Sequence, residues 1–520
     1  MTTLKEVLSA VSALPQVISM EIKENHLEIA VESDALTPVS SFVFKRFDAS
    51  LVTMHAVDFA EKGFNLYVVF SLDKDDLFVT ITSRVNDNGI YRSLTPAIYA
   101  ADWYEREILD MFGLTPLGHP DLRPLVLYDD WPQGIYPLRK GFGLSTKVPR
   151  VLSEYRFKRV EGEGVFEIPV GPVHAGVIEP GHFRFSVAGE PVINLELRLG
   201  YTHKGIEKIS EGMSYAKGVY LSERISGDSG VAHSTAYCQA IEMAADIKIP
   251  ERAEYLRTAF LEMERIYNHL GDVGGIALDT GFSVAASHAF MLKEKMLQVN
   301  ECVTGSRLLR SVNRIGGVRK DISREDAMRI REALIRTTLD LNDLVSLIDS
   351  TPSFLDRVEG TGSLPLDAAK NLNIVGPASR ASGIDRDVRR DHPYAAYGRL
   401  KFSVPLSREG DVNARMRMKI DEIYESMSLI EQALDGMPKG DIHCDALIPE
   451  GRSGMSLVEA PKGEAAHWLL TGDGRPYRHK IRDPSFYNWL ALEVAMPGNI
   501  VPDFPLINKS FNLSYSGNDL

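Results

Sequence analysis

Apolar and polar residues alternate over Ile18, Met20 and Ile22 and again over Leu27, Ile29 and Val31, on either side of the turn Glu24-Asn25-His26; this predicts a β-hairpin. The same period returns in Leu66, Val68 and Phe70 and, past Asp73-Lys74-Asp75-Asp76, in Leu77, Val79 and Ile81. One mixed or antiparallel sheet accommodates both. From Thr95 to Gly113 the period turns helical. Ala97, Tyr99, Trp103, Ile108 and Phe112 approximate an apolar face, and Gly113 stands where a helix C-cap is expected. The segment that follows, GHPDLRPLVLYDDWPQGIYPLRKGF, is rich in Pro, Gly and Asp and predicts an ordered excursion or a linker.

A second β patch spans Phe166 to Leu199, with 183–187 and 192–197 facing each other across Ala188-Gly189-Glu190-Pro191. Beyond residue 200 helices are predicted over 250–271, over 322–350 with Ser323 as N-cap, and over 411–437. In the last, Met416, Ile420, Ile423, Met427, Ile430 and Leu434 form one seam, closed by Gly436 and Pro438. The pattern predicts an α+β fold: a small α/β domain with a mixed sheet over 1–145, a linker over 146–164, and a β-hairpin layer with a long-helix bundle over 165–520. No internal repeat is present.

Composition narrows the function classes. The chain has 520 residues, 44% of them hydrophobic, with 58 Lys plus Arg against 71 Asp plus Glu, a net charge of −13. That acidic excess argues against a partner made of nucleic acid, which calls for clustered basic residues. No apolar run approaches the roughly 18 to 20 residues that cross a bilayer. The N-terminus carries Glu6, and Pro15 cuts its apolar stretch, unlike a secretory leader. The expectation is a soluble chain, or one held at a membrane only by partners. Cys238, Cys302 and Cys444 are scattered, with no Cys-x-x-Cys pair, which suits a reducing cytoplasm. Cys238 and Cys302 fall in helices, where cysteine commonly acts as a small hydrophobe. Cys444 has only His443 beside it, too few ligands for a metal.

The polar motifs say little on their own chemistry. In EREILDMFG, Arg106 and Asp110 stand at i,i+4, as in a surface ion-pair helix. His174, His182 and His203 lie beside turn glycines, but no two are spaced as a helical metal pair, so they read as polar residues shaping a loop.

As strings, EREILDMFG, GHPDLR and YPLRK resemble the small hydrophilic peripheral-arm subunit of respiratory complex I over residues 1–145, a structural domain in that family. GPVH, EPGHFRF, HKGIEK, PERA, RIGGVR, GPASRASG, EAPKGE and TGDG are similar to the large subunit of the membrane-bound, energy-converting (group 4) nickel-iron hydrogenases and complex I's large peripheral-arm subunit, over 165–520. The resemblance implies that hydrogenase fold and identifies the metal box: Arg-x-Cys-Gly-x-Cys stands here as Arg224-Ile225-Ser226-Gly227-Asp228-Ser229, and the C-terminal pair falls on Ser514 and Gly517. All four thiolate positions are lost, so no metal ligation and no hydrogenase activity is expected of them. The resemblance also leads to the expectation that no tail of the kind hydrogenase maturation removes follows Leu520.

The large peripheral-arm polypeptide of complex I has undergone the same loss and uses the cavity for a quinone headgroup, which makes quinone the candidate acceptor. The match is partial: Gly227 stands where complex I has a quinone-bonding tyrosine, and His182 lies in the first hairpin loop but out of register. By resemblance, His174, His182, Arg224 and Gly227 would bind the acceptor, while Glu179, Asp228, His233, Arg380, Asp385 and Arg389 would converge in the cavity. Glu179 matches a proton-moving glutamate of hydrogenases; closed into a pocket, its pKa would rise. The alternative for this set is an ion-pair network left by a lost site.

The implied function is a subunit of an energy-converting oxidoreductase complex on the cytoplasmic face of the inner membrane. It would bind no cofactor itself and would form an electron-transfer chamber with a small iron-sulfur subunit. Further cluster-bearing subunits and antiporter-like membrane subunits would complete the assembly and couple it to ion translocation. The competing reading is a non-redox scaffold joining an electron-delivery module to the membrane arm.

Overall fold

The computed structural model describes every residue except Met1, Thr2, Thr3, Pro15, Glu24, Gly176, Val177 and Ala446. The start of the N-terminal stretch, its Pro15 and the turn residue Glu24 therefore lie outside the described residues. No helix among the described residues is long and apolar enough to cross a membrane.

Both predicted hairpins form. Val17–Lys23 pairs antiparallel with His26–Val31, with Ile22 opposite Leu27, and Phe64–Leu72 pairs antiparallel with Leu77–Arg84, with Leu72 opposite Leu77. The parallel pairing of His26–Val31 with Leu77–Arg84 and the addition of Ser50–Asp58 complete a mixed five-stranded sheet. Ile18, Met20 and Ile22 are 67%, 36% and 46% exposed, because their strand is the sheet's edge and only its neighbour is covered.

The helix expected from Thr95 begins at Asp102 and ends at Phe112, with Gly113 at φ 70° as its cap. Its first turns are forestalled because the Glu105 carboxylate accepts hydrogen bonds from the backbone N–H of Leu94 and Thr95 and from the hydroxyls of Ser93 and Thr95. The expected surface pair of Arg106 and Asp110 is corrected. Both reach into the Pro/Gly-rich excursion: Asp110 Oδ2 accepts from the N–H of Leu125, Val126 and Leu127, and Arg106 donates to the carbonyls of Arg123 and Pro124. These bonds are what order a segment with no period of its own.

Val165–Val170, His182–Ala188 and Val192–Arg198 form a three-stranded antiparallel sheet with Val192 opposite Val187. The bundle contains Glu251–Asp279, Ser283–Thr304, Arg324–Asp349 and Val412–Gly436. Ser323 caps its helix by accepting from Asp326 N, and Asp411 does the same through Ala414 N.

A sheet absent from the periodicity reading, Ser453–Ala460, Gly463–Thr471 and Pro476–Arg482, follows the bundle. Both its faces are covered, so its strands carry no alternation. One face meets the N-terminal sheet: Val52, Val57, Val69 and Phe78 pack with Met455, Leu457, Ala466 and Trp468. Across this interface Lys480 pairs with Glu107 at 2.5 Å, and Arg482 donates to Val52 O.

Candidate functional site

The loop 223–229 precedes the buried helix Gly230–Ala244, and the short helix Tyr515–Asp519 brings the C-terminal segment back to it. Ser226 and Ser514, 288 residues apart, meet with Oγ atoms 2.9 Å from each other. Ser514 is also the N-cap of that short helix, its Oγ accepting from Gly517 N at 2.9 Å. Ser229 donates to Asp228 Oδ1 at 3.1 Å, Ser226 hydrogen-bonds the same oxygen, and Lys462 forms an ion pair with Asp228 Oδ2. A Cβ added at Gly517 would stand 2.6 Å from Asp483 Oδ2. The four thiolate-equivalent positions thus share one small polar site. A nickel-iron centre does not fit this donor set: hydroxyls and a glycine replace the soft ligands, and a lysine ammonium stands against Asp228.

His233 is buried on the first turn of Gly230–Ala244. Its Nε2 lies 2.9 Å from Asp483 Oδ2 and its Nδ1 lies 3.0 Å from His467 Nε2. Burial raises the Asp483 pKa, but the hydrogen bonds it accepts from His233 and Ser485 outweigh it, holding the carboxyl below its ordinary range. Beneath the loop, Glu264 accepts from the N–H of Val231 and Ala232 at 2.8 and 2.9 Å. Burial pushes its pKa up to about 7 against those bonds.

The outer side of the site is open. Gly227 and Arg224 are exposed, and a side chain at Gly227 would meet nothing within 4 Å. Glu179 is exposed too, its Oε2 accepting from Ser516 N at 2.9 Å. The expectation of a Glu179 closed into a pocket is therefore corrected, because its loop runs over the surface. His174 reaches the Tyr515 hydroxyl at 3.3 Å. His182 turns the other way, its Nδ1 3.3 Å from Gly171 O and its ring against Phe157, and burial lowers its pKa.

Arg380, Arg389 and Asp385 do not join this cluster. Arg380 is fully buried in a separate group, with Glu422 at 2.6 Å and Glu459 at 3.0 Å. Arg389 pairs there with Asp387 at 2.7 Å and Glu262 at 3.2 Å. Asp385 is on the surface, 2.5 Å from Arg390. The reason is local: Gly383 at φ 92° turns the chain after Arg380, leaving Asp385 outside while Asp387 folds back to cap the helix Val388–Asp391. Sequence reasoning missed Lys462, Asp483, His467 and Glu264 as site residues. EAPKGE contains Lys462 and the similar string Leu261-Glu262-Met263-Glu264-Arg265 contains Glu264, but no motif marked Asp483 or His467.

The β-layered N-terminal domain packs on a large domain with a helix bundle, whose C-terminal tail returns to the loop 223–229. Family profiles agree in chain order: "Respiratory-chain NADH dehydrogenase, 30 Kd subunit" matches residues 29–148, and the corresponding "49 Kd subunit" matches 279–450 and 445–519. Formate hydrogenlyase subunit 5 of Escherichia coli (strain K12) is 36% identical over 95% of this chain and 89% of its own. A fused NADH-quinone oxidoreductase subunit of Aquifex aeolicus (strain VF5) is 29% identical over 96% of each. Membrane-bound hydrogenase subunit alpha of Pyrococcus furiosus is 33% identical over 68% of this chain and 87% of its own. The chain belongs to the family that joins fused complex I 30 kDa and 49 kDa subunits with the large subunits of energy-converting hydrogenases.

Proposed function

We propose that this chain forms, with a neighbouring iron-sulfur subunit, the chamber where electrons reach a terminal acceptor such as a quinone, within a membrane-associated complex that couples the transfer to ion translocation. One observation carries this reading: Ser226, Ser229, Ser514 and Gly517 converge beside the His233–Asp483 pair, with Gly227, Arg224 and Glu179 exposed at the surface. The partner's cluster would supply the electrons. This chain's own residues would bind the acceptor and handle protons. Gly227 leaves open space at the surface and the exposed Arg224 offers a cation. Lys462, which is buried, and Asp228, which is 29% exposed, form an ion pair at the inner wall. Glu179 would pass protons at the rim. The chain itself would hold no cofactor, with cluster-bearing and membrane subunits as partners on the cytoplasmic side.

The test is acceptor reduction by the assembled complex, with a water-soluble quinone as probe. Glu179→Gln is expected to slow quinone reduction and proton translocation together, by about a hundredfold, the lower end of the usual contribution of one acid–base group. Unchanged rates in that variant would remove Glu179 from the relay. A wild-type complex that passes electrons to no acceptor would favour the scaffold reading, which has its own support in the direct Ser226–Ser514 and Asp228–Lys462 contacts across the site.

A further inference from the structure

Behind the site runs a file of buried imidazoles. His467 and His479 lie on the paired strands Gly463–Thr471 and Pro476–Arg482, and His233 faces them from Gly230–Ala244. All three are at most 1% exposed. The contacts run without a gap: Asp483 Oδ2 to His233 Nε2 at 2.9 Å, His233 Nδ1 to His467 Nε2 at 3.0 Å, His467 Nδ1 to His479 Nε2 at 3.0 Å, and His479 Nδ1 to Ser210 Oγ at 2.8 Å.

A neutral imidazole has one donor and one acceptor nitrogen, and an ionised carboxylate only accepts. With Asp483 ionised and His233 in its neutral form, His233 donates from Nε2. Its Nδ1 then accepts from His467 Nε2–H, His467 Nδ1 accepts from His479 Nε2–H, and His479 Nδ1 accepts from the Ser210 hydroxyl. Every hydrogen bond in the file therefore points towards Asp483, which is the arrangement a stepwise proton transfer requires. Burial, first of all, together with the neighbouring imidazoles holds His467 well below the usual histidine range. Burial likewise brings His479 down to about 3, with Glu207 acting in the opposite sense and Arg478, His233 and Lys480 reinforcing burial. The resting rings of these two are thus neutral, able to pass a proton without storing charge. At the inner end, Asp483 abuts Gly517 of the ligand-position site. At the outer end, Ser210 is itself buried, at 1% exposed, and its chain neighbours Lys208 and Glu211 line a surface cleft of about 450 Å³ with Lys140 and Asp473.

We propose that His233, His467 and His479 form a proton relay that carries protons from the Ser210 side of the protein to Asp483, at the back of the ligand-position site. The role given to the arriving proton, neutralising charge as an acceptor is reduced, rests on the function proposed above; the path itself does not. In one passage Asp483 takes the Nε2 proton of His233. Each imidazole gives up its Nε2 proton and gains one at Nδ1, and Ser210 gives its hydroxyl proton to His479 and is reprotonated by water. One proton is taken from solvent and one appears on Asp483. Each ring must then reorient before the file conducts again.

The full-length chain, labelled with 15N-histidine, provides the test. The readout is solvent exchange of the His233 Nε2 proton in wild type, His467→Gln and Ser210→Ala. Glutamine retains a donor and an acceptor but cannot shift a proton between them, and Ser210→Ala keeps all the rings. Both variants are expected to slow that exchange at least tenfold while backbone amide exchange in 230–244 and 463–471 stays at wild-type rates. Equal imidazole exchange in all three proteins would overturn the relay, as would slowing that the backbone amides share, which marks a merely structural role. Quinone reduction by the assembled complex is measured alongside. If exchange depends on the file but the wild-type complex reduces no acceptor, the relay stands and the functional reading falls.

Discussion

Two buried polar regions meet the hairpin formed by Ser453–Ala460 and Gly463–Thr471, one at Glu459 and the other at Lys462, and they are built on opposite principles. The first, around Arg380, joins Arg265, Arg389, Glu262, Glu422, Asp387 and Glu459 by ion pairs of 2.6 to 3.6 Å. Its arginines keep their protons at any working pH, and each has several carboxylate partners, so it pins the bundle helices to Ser453–Ala460 and to the 377–391 segment. The second, from Ser210 through the imidazoles to Asp483 and the serines, is made mainly of neutral groups that each give one hydrogen bond and take another. The first can hold position and the second can move protons. Density of buried charge is thus a poor guide to a relay, whereas an unbroken, one-way chain of exchangeable protons is a good one.

The largest effect is expected where the ion-pair group is broken. Glu422→Ala leaves Arg380, Arg265 and His269 short of a partner, and removing one member of such a buried pair costs about 3 to 5 kcal/mol. A urea midpoint unchanged from wild type would mean that this group is not what holds the bundle.

Next in size is a difference in pH response. The folded pKa of His479, about 3, is depressed below its ordinary 6.5. Its contribution is therefore fully present above pH 6.5 and is lost as pH falls towards 3. Glu262, held at about 2 as its arginine partners outweigh burial, contributes above its ordinary 4.5 and loses that contribution only below it. Glu264 and Glu459, raised to about 7 chiefly by burial, give the opposite slope between 4.5 and 7, so the histidine effect is read as a difference between proteins. Between pH 6.5 and 5 the stability of wild type relative to His479→Asn is expected to fall by about 2 kcal/mol, since one pKa unit is worth about 1.4 kcal/mol. Parallel urea midpoints for the two proteins across that range would show that His479 does not stay neutral.

The smallest effect belongs to a residue outside both regions. Asp385→Ala removes one exposed ion pair with Arg390, worth about 0 to 1 kcal/mol. A drop in quinone reduction by the complex carrying this variant would return Asp385 to the site from which its position excludes it.

Much of the fold was legible along the chain. Period-two runs located both N-terminal hairpins, and the 416–434 seam located the helix Val412–Gly436. The sheet 453–482 escaped because its strands are covered on both faces, so that Ser456, His467 and Lys480 are as buried as Leu469 and alternation is erased. The site was half legible. The hydrogenase-like box singled out Ser226, Ser229, Ser514, Gly517, Asp228 and His233. The arginines were grouped with them because a shared motif family says nothing of which way a side chain turns.

Residue order alone established the two-part architecture, the acidic balance and the loss of all four thiolate positions, since these are matters of residue identity and short-range period. Which polar groups meet was decided by the folded chain alone. His467 has no neighbour in sequence that marks it; it becomes the middle of a file because strand pairing sets it beside His479 and the Gly230–Ala244 helix lays His233 against it. Contacts between residues more than 200 positions apart carry no local signature, since they depend on the packing of whole elements around a common core.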